Sequence, residues 1–192
     1  MAQEALYLSR LVKAVATLNG DFLEIGSWHG RSTVAIGREV KKLNSLLYCI
    51  DIWNKKGLEE ETEEYKRIIE GYKKMTVAGM FFKGNSYFLF TENIKKSGLS
   101  NTVIPIIGLS SRIRKTWENP LRFIFIDGNH EAEYVRDDSS WKKFLIVGGI
   151  IAFHDYRERG VVKKPVDEEM GNDPDFETVG SAQSIKAFRR LK

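Results

Sequence analysis

The acids and histidines that could do chemistry stand where apolar runs end: Glu24 and His29 in FLEIGSWHG, Asp51 after LLYCI, Asp127 and His130 in FIFIDGNH, and His154 with Asp155 after IIAF. Runs of this kind read as buried parallel strands. In an open α/β sheet the carboxyl ends of such strands share one edge, where small molecules bind. Neighbouring strands lie about 4.8 Å apart, so Asp127 and Asp155, if their strands are adjacent, can reach one cation. Carboxylate oxygens are the ligands a hard ion such as Mg²⁺ takes. His130 follows Asp127 across a glycine turn. An imidazole titrating at about pH 6.5 can act there as a general base, or cap the next helix.

The stretch Asp21 to Ser32, DFLEIGSWHGRS, organises the other strand ends. Phe22, Leu23 and Ile25 form a buried strand that delivers Gly26 and Gly30 into a turn before a helix. Without a Cβ these glycines can take φ > 0 and let the backbone touch a ligand, while Ser27, Ser32 and the helix N-terminus offer donors. Glu24 can accept hydrogen bonds from an ammonium or from hydroxyls. The spacing G-x-x-x-G argues against a dinucleotide: with Gly26 as the first glycine of G-x-G-x-x-G, Trp28 and Arg31 would fall where glycines are needed. A nucleoside without a pyrophosphate fits better, and a purely structural turn is the alternative. Asp51 stands about 20 residues beyond Gly30, the distance at which an acid closing the second strand can take both hydroxyls of a ribose.

At 192 residues, 42% hydrophobic and 29% charged, the chain can bury one sizeable core, and a single domain over residues 1–192 is expected. The net charge of +4 is interleaved along the chain, which excludes a basic stripe for nucleic acid. No apolar run is long enough to span a bilayer. The lone Cys49 and the absence of an uninterrupted leader-like run point to the cytoplasm. The partner expected is a small molecule, and self-association into a homo-oligomer is compatible with the sequence.

The elements that must position these groups follow from the periodicity. Leu8, Leu11, Val12, Val15 and Leu18 predict an amphipathic helix within residues 1–20, ending at Asn19-Gly20. A second helix is expected from Ser32 to about Leu43, then strands at Leu46 to Ile52, Val103 to Gly108, Phe123 to Ile126 and Ile150 to Phe153. Lys55 to Lys83 reads as a charged helical insertion, a lid over the crevice or an oligomer contact. The aromatics Phe81, Phe82, Tyr87, Phe88 and Phe90 read as core, before a helix that ends at Ser97-Gly98. Ser110 is a candidate helix cap. A helix from Glu131 is expected to stop at Gly148-Gly149, and another to lie within Gly160 to Met170. Phe176 to Val179 and Ile185 to Phe188 suit an antiparallel pair joined through Gly180-Ser181.

Taken in order, FLEIGSWHGRS, CIDIW, VIPIIGLSS, FIFIDGNHEAEYVRDD and GGIIAFHDY resemble the class I S-adenosylmethionine-dependent methyltransferases. Within these the chain resembles the group of macrocin-type sugar O-methyltransferases and cephalosporin-hydroxylase-like proteins, which is similar to the catechol O-methyltransferases. The resemblance runs from about Asp21 to Tyr156. It implies a Rossmann-like α/β fold with a mostly parallel seven-stranded sheet and an antiparallel edge strand.

The resemblance also implies that Glu24, Gly26, Ser27 and Gly30 surround the methionine part of S-adenosylmethionine, that Asp51 holds its ribose, and that Trp53 and the Leu109-Ser110 turn flank its adenine. In metal-dependent relatives the positions of Asp127 and of the pair His154-Asp155 hold Mg²⁺, and the position of His130 supplies the base. The sequence departs from this pattern at His154. Imidazole is a poor Mg²⁺ ligand and suits Mn²⁺, Fe²⁺ or Zn²⁺ better, so the metal differs, fewer protein ligands hold it, or none binds. The expected function is O-methylation of a hydroxyl on a sugar or other small molecule, assisted by a divalent cation (Mg or Mn), with His130 as base. A metal-independent transferase and a cofactor-binding module without turnover are the alternatives.

Overall fold

The computed structural model describes residues 2–53, 86–157 and 160–192. The segment Lys55 to Lys83, with Phe81 and Phe82, lies outside the described residues. Strands β1 (Asp21–Ile25), β2 (Leu47–Asp51), β3 (Val103–Ile107), β4 (Leu121–Ile126) and β5 (Leu145–Phe153) run parallel. A hairpin of β6 (Phe176–Ala182) and β7 (Ile185–Arg190) completes a seven-stranded sheet in the order β3-β2-β1-β4-β5-β7-β6. Because β7 pairs antiparallel with both β5 and β6, the reversed strand lies one position in from the edge. The order changes direction at β1, between β2 and β4, which opens the crevice at the strands' carboxyl ends.

Side chains alternate across the sheet, so each strand supplies both layers of core. Phe22, Cys49, Phe123 and Ala152 pack beneath α1 (Ala2–Ala14), α2 (Arg31–Lys42) and α3 (Ser86–Lys96), against Leu8, Val12, Ile36, Val40 and Phe90. Leu23, Ile50, Ile124 and Ile151 face the other layer. That layer is built by α4 (Ser110–Ile113), α5 (Ala132–Ser139) and α6 (Lys163–Val166), each continued by a short turn of 3-10 or π geometry. Of the aromatics read as core, Phe90 is buried and Tyr87 packs on Trp53, while Phe88 is exposed. No helix among the described residues is long and apolar enough to cross a membrane.

Three expectations change. The first helix stops at Ala14 and reaches Gly20 through tight turns, Val15 and Ala16 donating to Val12 and Lys13. β5 begins at Leu145, ahead of the glycine pair expected to end the preceding helix. Leu145 pairs with Leu121 and Ile150 with Phe123, so β5 carries a bulge there. Gly148 takes φ 82 within it, and a Cβ on Gly149 would sit 2.8 Å from the Ile146 carbonyl oxygen. The terminal hairpin turns at Gln183-Ser184, and Gly180 is instead at an irregularity inside β6, where the register shifts.

Gly26 and Gly98 both adopt left-handed φ, of 85° and 67°, yet differ in surroundings. Among the described residues a Cβ on Gly98 would approach only Lys41 Nζ, at 3.8 Å, whereas one on Gly26 would lie 2.6 Å from Gly128 N and closer still to the Asp127 carbonyl. Gly98→Ala should therefore cost about 1 to 2 kcal/mol, the strain alone. Gly26→Ala should cost several times as much or prevent folding, as urea denaturation of the two variants would show.

Candidate active site

The β1–α2 turn is held from below by Glu24. Alternation turns its side chain into the layer of α2, where it is fully buried. Its Oε2 accepts the hydroxyls of Ser27, at 2.7 Å, and Thr33. Among the described residues Oε1 is buried without a geometrically aligned hydrogen-bond donor. Burial raises the Glu24 carboxyl above its usual range, against the bonds from Ser32, Thr33 and Ser27. The structure thus places Glu24 and Ser27 as braces of the turn. Gly30 caps α2 with φ 81 and packs against the Phe90 ring, while Gly26 faces the cleft.

Asp51 ties the neighbouring loops together. Its Oδ2 accepts the Trp28 N–H and its Oδ1 the Trp53 N–H, both at 2.8 Å. The Trp53 indole donates back to the Trp28 carbonyl at 2.7 Å. Both tryptophans take positive φ, 43° and 28°, rare for bulky residues and costing of order 1 to 3 kcal/mol each. Two bonds to one carboxylate offset that strain. Burial raises the Asp51 carboxyl, the bonds from Trp28 and Trp53 opposing it. Trp53 itself is buried against Tyr87 and Phe90, so it supports the loop from within the core.

Beside Asp51 opens a cleft of about 440 Å³, its mouth included. Ile25, Gly26, Asp51, Ile52, Leu109 and Ser110 line it, together with Gly128, Tyr134 and Asp138. Leu109 occupies the cap position of α4, so Ser110, read as a cap, is the first helical residue and donates its hydroxyl to Asp138. Asp138 is no site candidate from the sequence, because acids on a polar helix normally face water; Tyr134 and Trp141 are the residues there whose apolar character turns the segment inward.

A second group of side chains adjoins the cleft through the Asp127–Gly128 peptide. β4 and β5 are in register at their ends, Ile126 opposite Phe153, with His154 N–H donating to the Ile126 carbonyl at 2.9 Å. This sets Asp127, His130, His154 and Asp155 together. His130 Nε2 is 3.3 Å from Asp155 Oδ2 and 3.9 Å from Asp127 Oδ1. His154 Nδ1 lies 3.0 Å from Asp127 Oδ1, an ion-pair contact without hydrogen-bond alignment, and 3.5 Å from Asp155 Oδ2. Its Nε2 reaches Ser184 Oγ at 3.2 Å and Glu4 Oε1 at 3.5 Å. Burial disfavours the His154 imidazolium, but Asp127, Asp155 and Glu4 outweigh it and carry the group to about 9. The Asp127 and Asp155 carboxylates beside it raise His130, against burial.

One atom each of Asp127, His130 and Asp155 lies within 4.8 Å of the others, a donor set able to hold a cation. Among the described residues the expected ligand pair Asp127 and Asp155 is thus together, with His130 the third member. His154 touches both aspartates but spends its far nitrogen on Glu4 and Ser184. His29, the remaining histidine, stacks on the exposed Trp28 at 3.9 Å.

A family model described as a methyltransferase domain matches residues 23–156. Among solved structures, the O-methyltransferase NovP superposes with a TM-score of 0.76 at 17% identity, covering 99% of this chain and 80% of that one. TomG from Streptomyces achromogenes, involved in tomaymycin synthesis and solved in complex with S-adenosylmethionine, gives 0.68 at 12% identity over 100% and 81%. CalS11, a TDP-rhamnose 3'-O-methyltransferase, gives 0.67 at 11% over 98% and 79%. The sheet order and these likenesses establish the Rossmann-like methyltransferase fold.

Burial lifts the Asp138 carboxyl from 3.8 to about 7, the Ser110 bond opposing it. Because the folded value lies above the unfolded one, the contribution to stability is full below about pH 4 and is lost as pH rises to 7. The stability of the wild type relative to Asp138→Asn should therefore fall by on the order of 2 to 4 kcal/mol across that window and then level off. Urea unfolding of both proteins from pH 4 to 8 measures it.

Proposed function

We propose that this chain, which belongs to the methyltransferase-domain family, transfers the methyl group of S-adenosylmethionine to a hydroxyl oxygen of a sugar or another small molecule in the cytoplasm. One observation carries the reading: a cleft closed by the Gly26 turn and by Asp51 adjoins, across a single peptide, the Asp127–His130–Asp155 group. TomG, solved with S-adenosylmethionine, and CalS11, named for a sugar nucleotide, support the cofactor and the acceptor class.

The cofactor, when bound, would supply a methyl group on a positively charged sulfur. Asp51 spends one lone pair of each oxygen on the tryptophan amides and keeps the others for the ribose hydroxyls. Ile52, Leu109 and Tyr134 offer flanks for the base. Gly26 leaves room for the methionine part, with Glu24, Ser27 and Gly30 holding the turn and Trp53 holding the loop opposite. His130 Nε2 takes the acceptor's proton, and the carboxylates of Asp155 and Asp127 stabilise the resulting imidazolium. Their effect on its pKa is upward, so the neutral base fills only above the ordinary 6.5.

The same donor set supports a second reading. Two carboxylates and an imidazole fit a divalent cation, Mn²⁺ better than Mg²⁺, held by Asp127, Asp155 and His130, with His154 as the alternative nitrogen. Such an ion would acidify the acceptor hydroxyl. His130 bound through Nε2 would then be unavailable as a base.

Calorimetry should show S-adenosylmethionine binding to the wild type, weakened on the order of 10- to 100-fold by Asp51→Asn, which loses the charge of the ribose bonds; no wild-type binding would reject the function. With a competent sugar acceptor, kcat should rise with pH through a pKa above the ordinary imidazole value. His130→Ala should lower kcat by on the order of 10² to 10⁴ and abolish that limb. Loss of wild-type activity in excess chelator would favour the cation reading instead.

A further inference from the structure

Positions 4, 8, 11 and 12 follow helical spacing, so Glu4, in the first turn of α1, stands on the same stripe as the buried Leu8, Leu11 and Val12. An acid there gives up apolar burial, and its partners show what it gains. Its Oε1 accepts the Ser184 hydroxyl at 2.7 Å and lies 3.5 Å from His154 Nε2. Ser184 is buried, and the same Oγ is 3.2 Å from that nitrogen. The Ser184 backbone is fixed as well, its carbonyl accepting the Tyr156 N–H at 2.9 Å, just beyond His154 in the chain. A hydroxyl has one proton. Given to the Glu4 carboxylate, it leaves only a lone pair for the ring, so Nε2 must carry hydrogen and donate. Nδ1 is thereby the nitrogen presented to Asp127 and Asp155, at 3.0 and 3.5 Å.

We propose that Glu4 is a positioning residue of the acid–histidine group: acting through Ser184, it holds His154 with Nε2 as the donor and Nδ1 turned to the two aspartates beside His130. The assignment rests on the reading of that group as the seat of proton transfer, and it brings α1 into the reaction. The first turn of α1, the end of β5 and the β6–β7 turn meet at one imidazole. The hydrogen bond at the far nitrogen of a working histidine decides which ring nitrogen faces the chemistry. Without Glu4 the Ser184 proton is released, the ring is free to turn, and its contact with Asp127 goes. Asp127 Oδ1, 3.9 Å from His130 Nε2, then loses the neighbour that fixes it between the two rings.

The test is heteronuclear NMR on the full chain, read at the His154 Nε2–H cross-peak, which is identified by its through-space contact with the Phe125 ring, edge-on at 6.2 Å between centroids. Wild-type protein should show this proton in slow exchange with water. Glu4→Leu, which suits the apolar stripe and keeps α1 docked, should lose it, as should Ser184→Ala. Glu4→Gln, whose amide oxygen still accepts the Ser184 hydroxyl, should retain it. A wild-type ring with no hydrogen on Nε2 would overturn the assignment without any variant having to fold, and so would a cross-peak that survives in Glu4→Leu. Calorimetry with S-adenosylhomocysteine tests the reading beneath it: wild type and Glu4→Leu should bind within about 3-fold of each other. A loss beyond about 10-fold in Glu4→Leu would make Glu4 a general support of the fold and overturn the positioning role. No binding by the wild type would reject the function reading, and the positioning role with it, whatever the cross-peak shows.

Discussion

The backbone of Gly26 lies directly against the Asp127–Gly128 peptide, with no room for a Cβ between them. This contact decides how the edge of the sheet is built. It lets the turn after β1 lean onto the turn after β4, so that the cleft and the acid–histidine group share a wall one peptide thick. The parallel ladder between the strands supplies the alignment, Ile25 opposite Ile126, with Asp127 N–H donating to the Ile25 carbonyl at 2.8 Å. A side chain at position 26 would push these two halves apart, and the alignment of the cleft with the acid–histidine group would be lost.

Strain gathers at the same edge. Trp28, Trp53 and Asp155 all hold left-handed φ without being glycine. Two of them are held by a single carboxylate, Asp51, and the third carries a side chain that meets His130, His154 and Arg157. Aspartate tolerates this conformation better than tryptophan does. The tryptophans therefore depend on the hydrogen bonds and on the core beneath Trp53, where Tyr87 and Phe90 fix the indole. Structural packing on the α3 side thus reaches the cleft through the main chain.

Much of this was legible in the sequence because buried parallel strands leave an unmistakable trace: an apolar run, then a glycine or an acid. FLEIG, YCID, FIFIDG and IIAFHD each end where the strand or its turn is found. Side-chain direction was less accessible. Glu24 beside the glycine turn looked like a ligand group, but period-two alternation sends it beneath α2, to Ser27 and Thr33. Trp53 closes the same loop as Asp51 yet points into the core. Asp138 was hidden for the opposite reason, since an acid within a polar eight-residue helix gives no local sign that Ser110, 28 residues earlier, reaches it. His154 is a metal-site candidate from its place beside Asp155 at the strand end, whereas the partners of its far nitrogen, Glu4 and Ser184, come from α1 and the terminal hairpin.

The bulge in β5 sets a step of two positions in β4, Leu121 to Phe123, against the longer step from Leu145 to Ile150, and then regular pairing resumes up to Ile126 and Phe153. Mismatch in strand length is thereby absorbed at the amino end of the strand, far from His154 and Asp155. The sheet tolerates insertion or loss at one end and forbids it at the other. A residue gained or lost around Gly148 alters a loop-like kink, while one gained between Ile150 and Phe153 would reverse the faces on which His154 and Asp155 emerge. Over the history of such a chain, length can drift at the bottom of the strand while the chemistry at its top keeps its register.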